Sequence, residues 1–182
     1  MMIKRFHAVT LLAAMAIGSV GVAQAEGPEG RNDLSACVAG RPSILAQVHG
    51  FKSDVGIVRG QVYSGVAADF LEKGKWLRRV EAPRTREAVM TICLPVSSPG
   101  NYAIAIRHDA NDNGKSDWND GGGFSRNPRL SLLNLKPAHS DVVVTVPSNN
   151  PLKIDIVMQY RRGLTIAPLA PLSLPVVPGN KR

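Results

Sequence analysis

Alternation of apolar and polar residues is the dominant pattern in the middle of the chain. In the clearest run, residues 152–160, apolar side chains occupy every second position from Leu152 to Tyr160. A period of two is typical of a β-strand that buries one face. Similar runs predict strands at residues 44–48, 56–63, 88–94, 102–106 and 142–146.

Helical patterning is weak throughout this part of the chain. Only residues 65–75 look helical, and Gly74 leaves room for no more than a short helix or turn. The repeated helical crossovers that a parallel α/β fold requires are absent from the pattern. We therefore expect an all-β fold: a single antiparallel β-sandwich, immunoglobulin-like or transthyretin-like, with one short helix or turn.

Residues 1–25 have the features of a cleavable secretory signal peptide. Lys4 and Arg5 precede an apolar run over residues 8–22, and residues 23–25 (A-Q-A) supply the small residues of a cleavage site. A membrane anchor is the alternative, but a spanning helix needs about 20 apolar residues, and this run is shorter and broken by glycine. We expect a periplasmic or secreted protein with no membrane span.

The remainder of the chain divides into three segments. Residues 26–42, rich in glycine and polar groups, predict a flexible lead-in, and residues 43–162 predict the β-sandwich domain. Residues 163–182 are proline-rich, which disfavours helix and central strand and predicts an extended or disordered tail. That tail is apolar for a free end, so lying along the domain or meeting a partner is the alternative.

The chain is basic, with 22 lysines and arginines against 14 aspartates and glutamates and a formal net charge of +8. No basic run is interleaved with aromatic residues, as it tends to be in proteins that bind single-stranded nucleic acids. We expect a solvated basic surface and no nucleic-acid partner. A loose attraction to anionic lipid or polysaccharide is the alternative.

Two cysteines, Cys37 and Cys93, lie in the predicted mature chain. Export places them in an oxidising compartment, where a pair of cysteines usually forms a disulfide. A redox or metal pair is the alternative, but no C-x-x-C motif and no neighbouring histidine supports it. We therefore predict a Cys37–Cys93 disulfide.

Residues 109–120 carry the most informative chemistry in the sequence. Oxygen-bearing side chains fall at loop positions 1, 3, 5, 9 and 12, and Gly114 occupies position 6. This is the spacing of a calcium-binding loop, in which alternate side chains of a tight turn converge on one ion. The predicted calcium ligands are the side chains of Asp109, Asn111, Asn113, Asp117 and Asp120 and the carbonyl oxygen of Lys115.

The same residues also suit a loop that needs no ion, because Asn, Asp and Gly form turns unaided. Position 12 is Asp120 rather than the bidentate glutamate of an EF-hand, and the segment before the loop is a predicted strand. A true EF-hand is therefore not expected. Because two ligands are asparagines, three coordinating carboxylates remain, and calcium would bind with the modest affinity of extracellular modules, about 10⁻⁴–10⁻³ M.

Three blocks of sequence resemble a bacterial family known as domain of unknown function 2141. They are residues 99–103 (P-G-N-Y-A), 108–117 (H-D-A-N-D-N-G-K-S-D) and 123–127 (G-F-S-R-N). The resemblance covers roughly residues 43–160 and implies an exported β-sandwich protein without an assigned activity. Here the family's longer segment before G-F-S, often bearing a proline and a glutamate, is shortened to residues 120–123.

Catalytic machinery is not evident in the pattern. His49, His108 and His139 belong to no recognisable nucleophile or metalloprotease motif.

We predict a non-catalytic exported module in which calcium orders the loop beside a surface for an envelope protein or glycan. His108, Trp118 and Phe124 are the candidate contact residues. Packing over the sandwich edge is the alternative for Trp118 and Phe124, and a hydrogen-bonded residue at a strand end is the alternative for His108. A purely structural envelope protein is the second hypothesis, and a hydrolase of unknown substrate is the third.

Overall fold

A computed structural model describes residues 29–169 of the chain. The predicted signal peptide, residues 1–25, and most of the proline-rich tail lie outside the described residues. Within residues 29–169, no helix is long and apolar enough to cross a membrane.

The described residues are mostly β-structure. The strands are Glu29–Arg31 (β1), Ser43–His49 (β2), Ile57–Ser64 (β3), Trp76–Pro83 (β4), Val89–Pro95 (β5), Gly100–Asp109 (β6), Gly121–Phe124 (β7), Val143–Val146 (β8), Leu152–Val157 (β9), Gln159–Arg162 (β10) and Thr165–Pro168 (β11). A short helix, His139–Val142 (α1), precedes β8, and 3-10 turns form at Leu34–Ala36 and Ala67–Asp69. Within residues 65–75, where the sequence predicted a short helix or turn, the structure has the 3-10 turn at Ala67–Asp69.

The strands form two sheets, each with strands running in both directions. The large sheet has the order β1-β4-β3-β6-β7-β10-β11, with β8 also paired to β6, and the small sheet has the order β5-β2-β9. The pairs β1–β4 and β2–β9 are parallel. The antiparallel arrangement that we expected is therefore wrong for these two pairs. Alternation tells which face a side chain occupies, but it does not tell which way the neighbouring strand runs.

Buried side chains from both sheets form one hydrophobic cluster. The small sheet contributes Ile44, Ala46, Val48, Met90, Ile92, Leu94 and Ile156, and the large sheet contributes Val58, Val62, Val80, Tyr102, Ile104, Ile106, Val146 and Tyr160. All of these except Val80 are apolar positions of the alternating runs. The two sheets therefore share the core that the sequence pattern predicted.

The run 152–160 forms two strands rather than one. β9 pairs with β2 in the small sheet, whereas β10 pairs with β7 and β11 in the large sheet. Between them, the Met158 amide donates to the His49 carbonyl oxygen at 2.9 Å. Ile156, Met158 and Tyr160 stay buried on the core side throughout. The chain thus crosses from one sheet to the other without interrupting the apolar period.

The lead-in expected to be flexible is ordered where the structure describes it. β1 pairs with β4, and the Asn32 side chain donates to the Thr91 carbonyl oxygen at 2.9 Å and accepts from the Cys93 amide at 2.8 Å. Cys37 and Cys93 form the predicted disulfide, with an S–S distance of 2.05 Å. Residues 29–37 are therefore tied to β4 and β5.

The beginning of the expected tail is also ordered. Thr165–Pro168 forms β11, which pairs antiparallel with β10 at the edge of the large sheet. Proline at the end of an edge strand is compatible with this pairing. The tail beyond residue 169 lies outside the described residues.

Candidate functional site

The 109–120 loop begins at the end of β6, beside a buried histidine. His108 is fully buried, with Nδ1 2.6 Å from the Tyr160 hydroxyl and Nε2 2.8 Å from the Val55 carbonyl oxygen. Since a carbonyl only accepts, Nε2 donates to Val55, and Nδ1 accepts from Tyr160. Burial lowers the pKa of His108 and raises the pKa of Tyr160 to about 12. His108 therefore lies inside the fold rather than on a contact surface.

The first residue of the loop is a nearly buried carboxylate that organises the turn after it. Asp109 Oδ1 accepts from the Asn113 amide at 3.2 Å, and Oδ2 accepts from the Gly114 amide at 2.9 Å. Gly114 has a φ of +73°, which glycine adopts without strain. The D-x-N-x-N-G segment thus forms a tight loop in which the Asp109 carboxylate accepts two backbone amides.

Arg107 supplies the positive charge at the base of the loop, and the sequence analysis did not identify it. Its Nη2 lies 2.8 Å from Asp109 Oδ2 and 2.6 Å from the Lys115 carbonyl oxygen. Its Nε lies 3.2 Å from Asp120 Oδ2. Three of the six predicted calcium ligands therefore already contact one guanidinium.

The other predicted ligands form a separate group around Asp117. Asp117 Oδ2 accepts from Asn111 Nδ2 at 3.0 Å and from Asn113 Nδ2 at 2.8 Å. These bonds, together with one from the Asn119 amide, lower the pKa of Asp117. Within residues 29–169, no three histidine, cysteine, aspartate or glutamate side chains are grouped so that they could hold a metal ion. A calcium ion at Asp109 and Asp120 would have to take the place of the Arg107 guanidinium.

Trp118 and Phe124, the two predicted aromatic contact residues, differ in exposure. Trp118 is 65% exposed, and the Arg161 guanidinium lies over its ring, 4.2 Å from the ring centroid. Phe124 is buried in a second hydrophobic cluster, with its ring centroid 6.1 Å from that of Phe70. Trp118 is therefore available to a partner, whereas Phe124 mainly packs.

A groove of about 360 Å³ lies beside the loop on the face of the large sheet that points away from the shared core. We call it the outer groove. Its floor and walls include Gln61, Ala105, Arg107, Trp118, Gly122, Phe124, Leu130, Leu135, Gln159, Arg161 and Ile166. This volume is within the range of about 300–1,000 Å³ that is usual for small-ligand sites. The sequence analysis did not identify this groove, because its residues come from distant segments.

Comparison with protein families assigns the chain to a bacterial family. The family described as "uncharacterized protein conserved in bacteria (DUF2141)" matches residues 46–155, a range that runs from β2 to β9 and includes the whole loop. The chain belongs to the DUF2141 family. This confirms the resemblance that the three sequence blocks indicated. No curated protein and no solved structure matches the chain.

In this DUF2141 protein, the three consecutive glycines of β7 have different reasons to be glycine. Gly121 is paired with His108 on one side and Tyr160 on the other, and a Cβ there would overlap the Tyr160 ring. A Cβ at Gly123 would lie 2.7 Å from Ile156 Cγ2. At Gly122, no atom lies within 4 Å of a Cβ position. Core packing therefore requires glycine at residues 121 and 123, but not at residue 122.

Gly122 instead keeps the outer groove open. Its partners in the sheet are Arg107 on β6 and Gln159 on β10, and directly opposed residues share one face of a sheet. A side chain at residue 122 would therefore project between Arg107 and Gln159 into the groove. Because Gly122 has no side chain, its backbone forms part of the groove floor.

This difference predicts opposite effects for two neighbouring substitutions in this DUF2141 protein. Gly121→Ala should lower the free energy of unfolding by about 1–3 kcal/mol, because the methyl group displaces Tyr160 from its contact with His108. Gly122→Ala should be neutral or stabilising by about 0.5–1 kcal/mol, since alanine in a strand interior loses less conformational entropy than glycine. Urea denaturation of both variants measures the difference. Equal losses would contradict the packing described for β7.

Proposed function

We propose that this protein is an exported, non-catalytic β-sandwich module whose outer groove binds a glycan or protein of the cell envelope. The observation that carries the proposal is the open floor at Gly122, beside an exposed Trp118 at the rim. Tryptophan is among the residues most enriched in binding hot spots, so an accessible Trp118 beside a groove supports ligand binding there. The core that the two sheets share supports the sandwich architecture.

Hydrogen bonds of the neighbouring residues hold the loop so that the Trp118 side chain is exposed to a ligand. Asp117 Oδ1 accepts from the Asn119 amide at 2.7 Å, and Lys52 Nζ bonds Asn119 Oδ1 at 2.6 Å. These bonds fix the residues on both sides of Trp118. A side chain on an ordered loop loses less conformational freedom on binding, which favours affinity.

The bonding of the polar side chains near the groove supports a non-catalytic role. Both ring nitrogens of His108, the best candidate for a general base, are engaged inside the fold. The carboxylates of Asp109 and Asp120 are paired with Arg107. The side chains that could move a proton are therefore used to hold the loop and the core together.

The predicted signal peptide and the disulfide support a periplasmic or secreted location. Residues 1–25 carry the positive start, apolar centre and small-residue exit of a cleavable signal. The Cys37–Cys93 disulfide suits an oxidising compartment. The envelope or the surrounding medium would then supply the ligand.

We further propose that calcium acts at the loop as a competitor of Arg107. The 109–120 loop brings a predicted carbonyl ligand and two carboxylates to one guanidinium. Those oxygens are hard donors of the type that calcium prefers. Because the guanidinium already neutralises them, binding should be weaker than in a loop whose carboxylates have no cation. This is compatible with millimolar calcium outside the cytoplasm.

The test of the groove uses the chain from residue 26 to residue 182 and a panel of envelope oligosaccharides and envelope proteins. Gly122→Leu should weaken binding of the true ligand at least about tenfold, because leucine fills the groove floor. Its melting temperature should stay close to wild type, since no fold atom lies within 4 Å of the new Cβ. Leu133→Ala is the matched control, because Leu133 is fully exposed and does not line the groove.

A purely structural envelope protein would give a different result. In that case no panel member would bind in a way that depends on residue 122, and Trp118→Ala would change only stability. Binding that Gly122→Leu leaves unchanged would contradict the groove as the site.

A further inference from the structure

We propose that Asn113 is a site of spontaneous deamidation, at which the 109–120 loop modifies itself without an enzyme. Asn113 is the only asparagine in the chain that precedes a glycine. Asn113 and Gly114 are both exposed, so water reaches them. The proposal concerns the loop alone and does not depend on the ligand of the outer groove.

The reaction joins two neighbouring groups of the loop. The Gly114 main-chain nitrogen attacks Asn113 Cγ and loses its proton, and Nδ2 leaves as ammonia, which closes a succinimide ring. Water then opens the ring at one of its two carbonyl carbons and leaves either aspartate or isoaspartate at residue 113. The only co-reactant is water. Glycine favours the first step, because no side chain shields its nitrogen.

A hydrogen bond holds the two reacting groups beside each other. Asn113 Oδ1 accepts from the Lys115 amide at 2.8 Å. An asparagine that bonds the amide two residues ahead folds its side chain back over the peptide between them, which here is that of Gly114. The amide carbon that is attacked and the nitrogen that attacks are therefore neighbours in the folded loop, which favours ring closure.

Hydrogen bonds of the loop also assist the chemistry at both groups. The Lys115 N–H donates to Asn113 Oδ1, the oxygen on which negative charge develops during the attack. Asp109 Oδ2 accepts from the Gly114 N–H at 2.9 Å, which is within reach of the proton that the nitrogen must lose. A carboxylate that draws on this N–H makes the nitrogen a better nucleophile.

Deamidation replaces an attraction within the loop by a repulsion. Asn113 Nδ2 donates to Asp117 Oδ2 at 2.8 Å. After the loss of ammonia, a second carboxylate takes the place of this donor, and the two negative charges repel each other. Arg107 bonds other groups of the loop and does not neutralise this pair. The segment that leads to Trp118 should therefore loosen.

Mass spectrometry of the aged protein tests the reaction. The chain from residue 26 to residue 182 is incubated in mildly alkaline buffer and digested, beside a peptide of residues 109–118. Asn113 should convert to a mixture of aspartate and isoaspartate, at a rate within about tenfold of the rate in the peptide. Asn119 is also exposed but precedes Asp120, so it should convert at least about tenfold more slowly than Asn113.

Two asparagines of the same chain are internal controls. Asn127 and Asn150 precede prolines, whose nitrogen carries no hydrogen and cannot form the ring. They should stay unconverted, and so should residue 113 in the matched variant Asn113→Gln, because the larger ring closes more slowly. The proposal is overturned if Asn113 stays intact in the protein while the peptide converts. It is also overturned if Asn113 yields aspartate alone, because direct hydrolysis would then be the reaction.

The effect on the loop is measured with Asn113→Asp, which carries the charge of one product. Its melting temperature should lie about 1–3 °C below that of wild type at low salt, and about 0.5 M salt should remove most of this loss. The double variant Asn113→Asp/Asp117→Asn exchanges the donor and the acceptor, so it should melt close to wild type. No loss in Asn113→Asp, or equal losses in the single and double variants, would overturn the predicted repulsion.

Discussion

Arg107→Gln is expected to lower the free energy of unfolding by about 3–5 kcal/mol at neutral pH, because it removes one partner of a buried ion-pair network. The side chains of Asp109 and Asp120 are only 7% and 8% exposed, so both carboxylates would remain buried without their cation. The Lys115 carbonyl oxygen would lose its guanidinium donor as well. Urea denaturation at low ionic strength measures the loss.

The matched control for Arg107→Gln is Arg86→Gln. Arg86 pairs with Asp54 at 3.3 Å, but the two side chains are 92% and 52% exposed. A surface pair of this kind contributes about 0–1 kcal/mol, so the control should be nearly neutral. A loss below about 1 kcal/mol for Arg107→Gln would contradict Arg107 as the cation of the loop.

Calcium should stabilise the Arg107→Gln variant more than the wild-type protein. If calcium competes with the guanidinium, millimolar calcium should raise the melting temperature of Arg107→Gln more than that of wild type. The proposal for calcium fails if neither form responds. It also fails if wild type responds more strongly, because the guanidinium would then not be a competitor.

Removal of the Cys37–Cys93 disulfide is expected to lower the free energy of unfolding by about 4 kcal/mol in the chain-entropy model. The bridge joins residues 56 positions apart and links the segment after β1 to β5. A Cys37→Ala/Cys93→Ala double variant should therefore melt well below wild type under non-reducing conditions. Dithiothreitol should destabilise wild type and leave the double variant unchanged. Two free thiols in the protein purified without reductant, by mass spectrometry, would contradict the disulfide.

The sequence predicted the strands that alternate cleanly and missed the others. β4 begins Trp76-Leu77-Arg78-Arg79-Val80, where arginine occupies positions on both faces and obscures the apolar period. β7 is almost entirely glycine, which carries no apolar signal and is rare in strand interiors. The parallel pairs and the crossing at Met158 depend on which strands meet in space. No local period contains that information.

The site, like the fold, could be predicted only where the signal is local in the sequence. The spacing from Asp109 to Asp120 predicted a calcium-binding loop, and calcium binding stays a prediction; in the structure the oxygen-bearing side chains of this loop bond to Arg107 or to one another. Arg107 had a local signal: strand alternation places it on the same face as Asp109, two residues earlier. The outer groove had no such signal. Gly122, Trp118 and Arg161 come together only through the pairing of β6, β7 and β10.

Chemical-shift mapping tests the binding groove most directly. The ¹⁵N-labelled chain from residue 26 to residue 182 is titrated with the tightest-binding member of the envelope panel. The largest changes should fall on the Gly122 amide and the Trp118 indole N–H, and they should vanish in Gly122→Leu. Changes centred on the small sheet, or changes that persist in Gly122→Leu, would contradict the outer groove as the binding site.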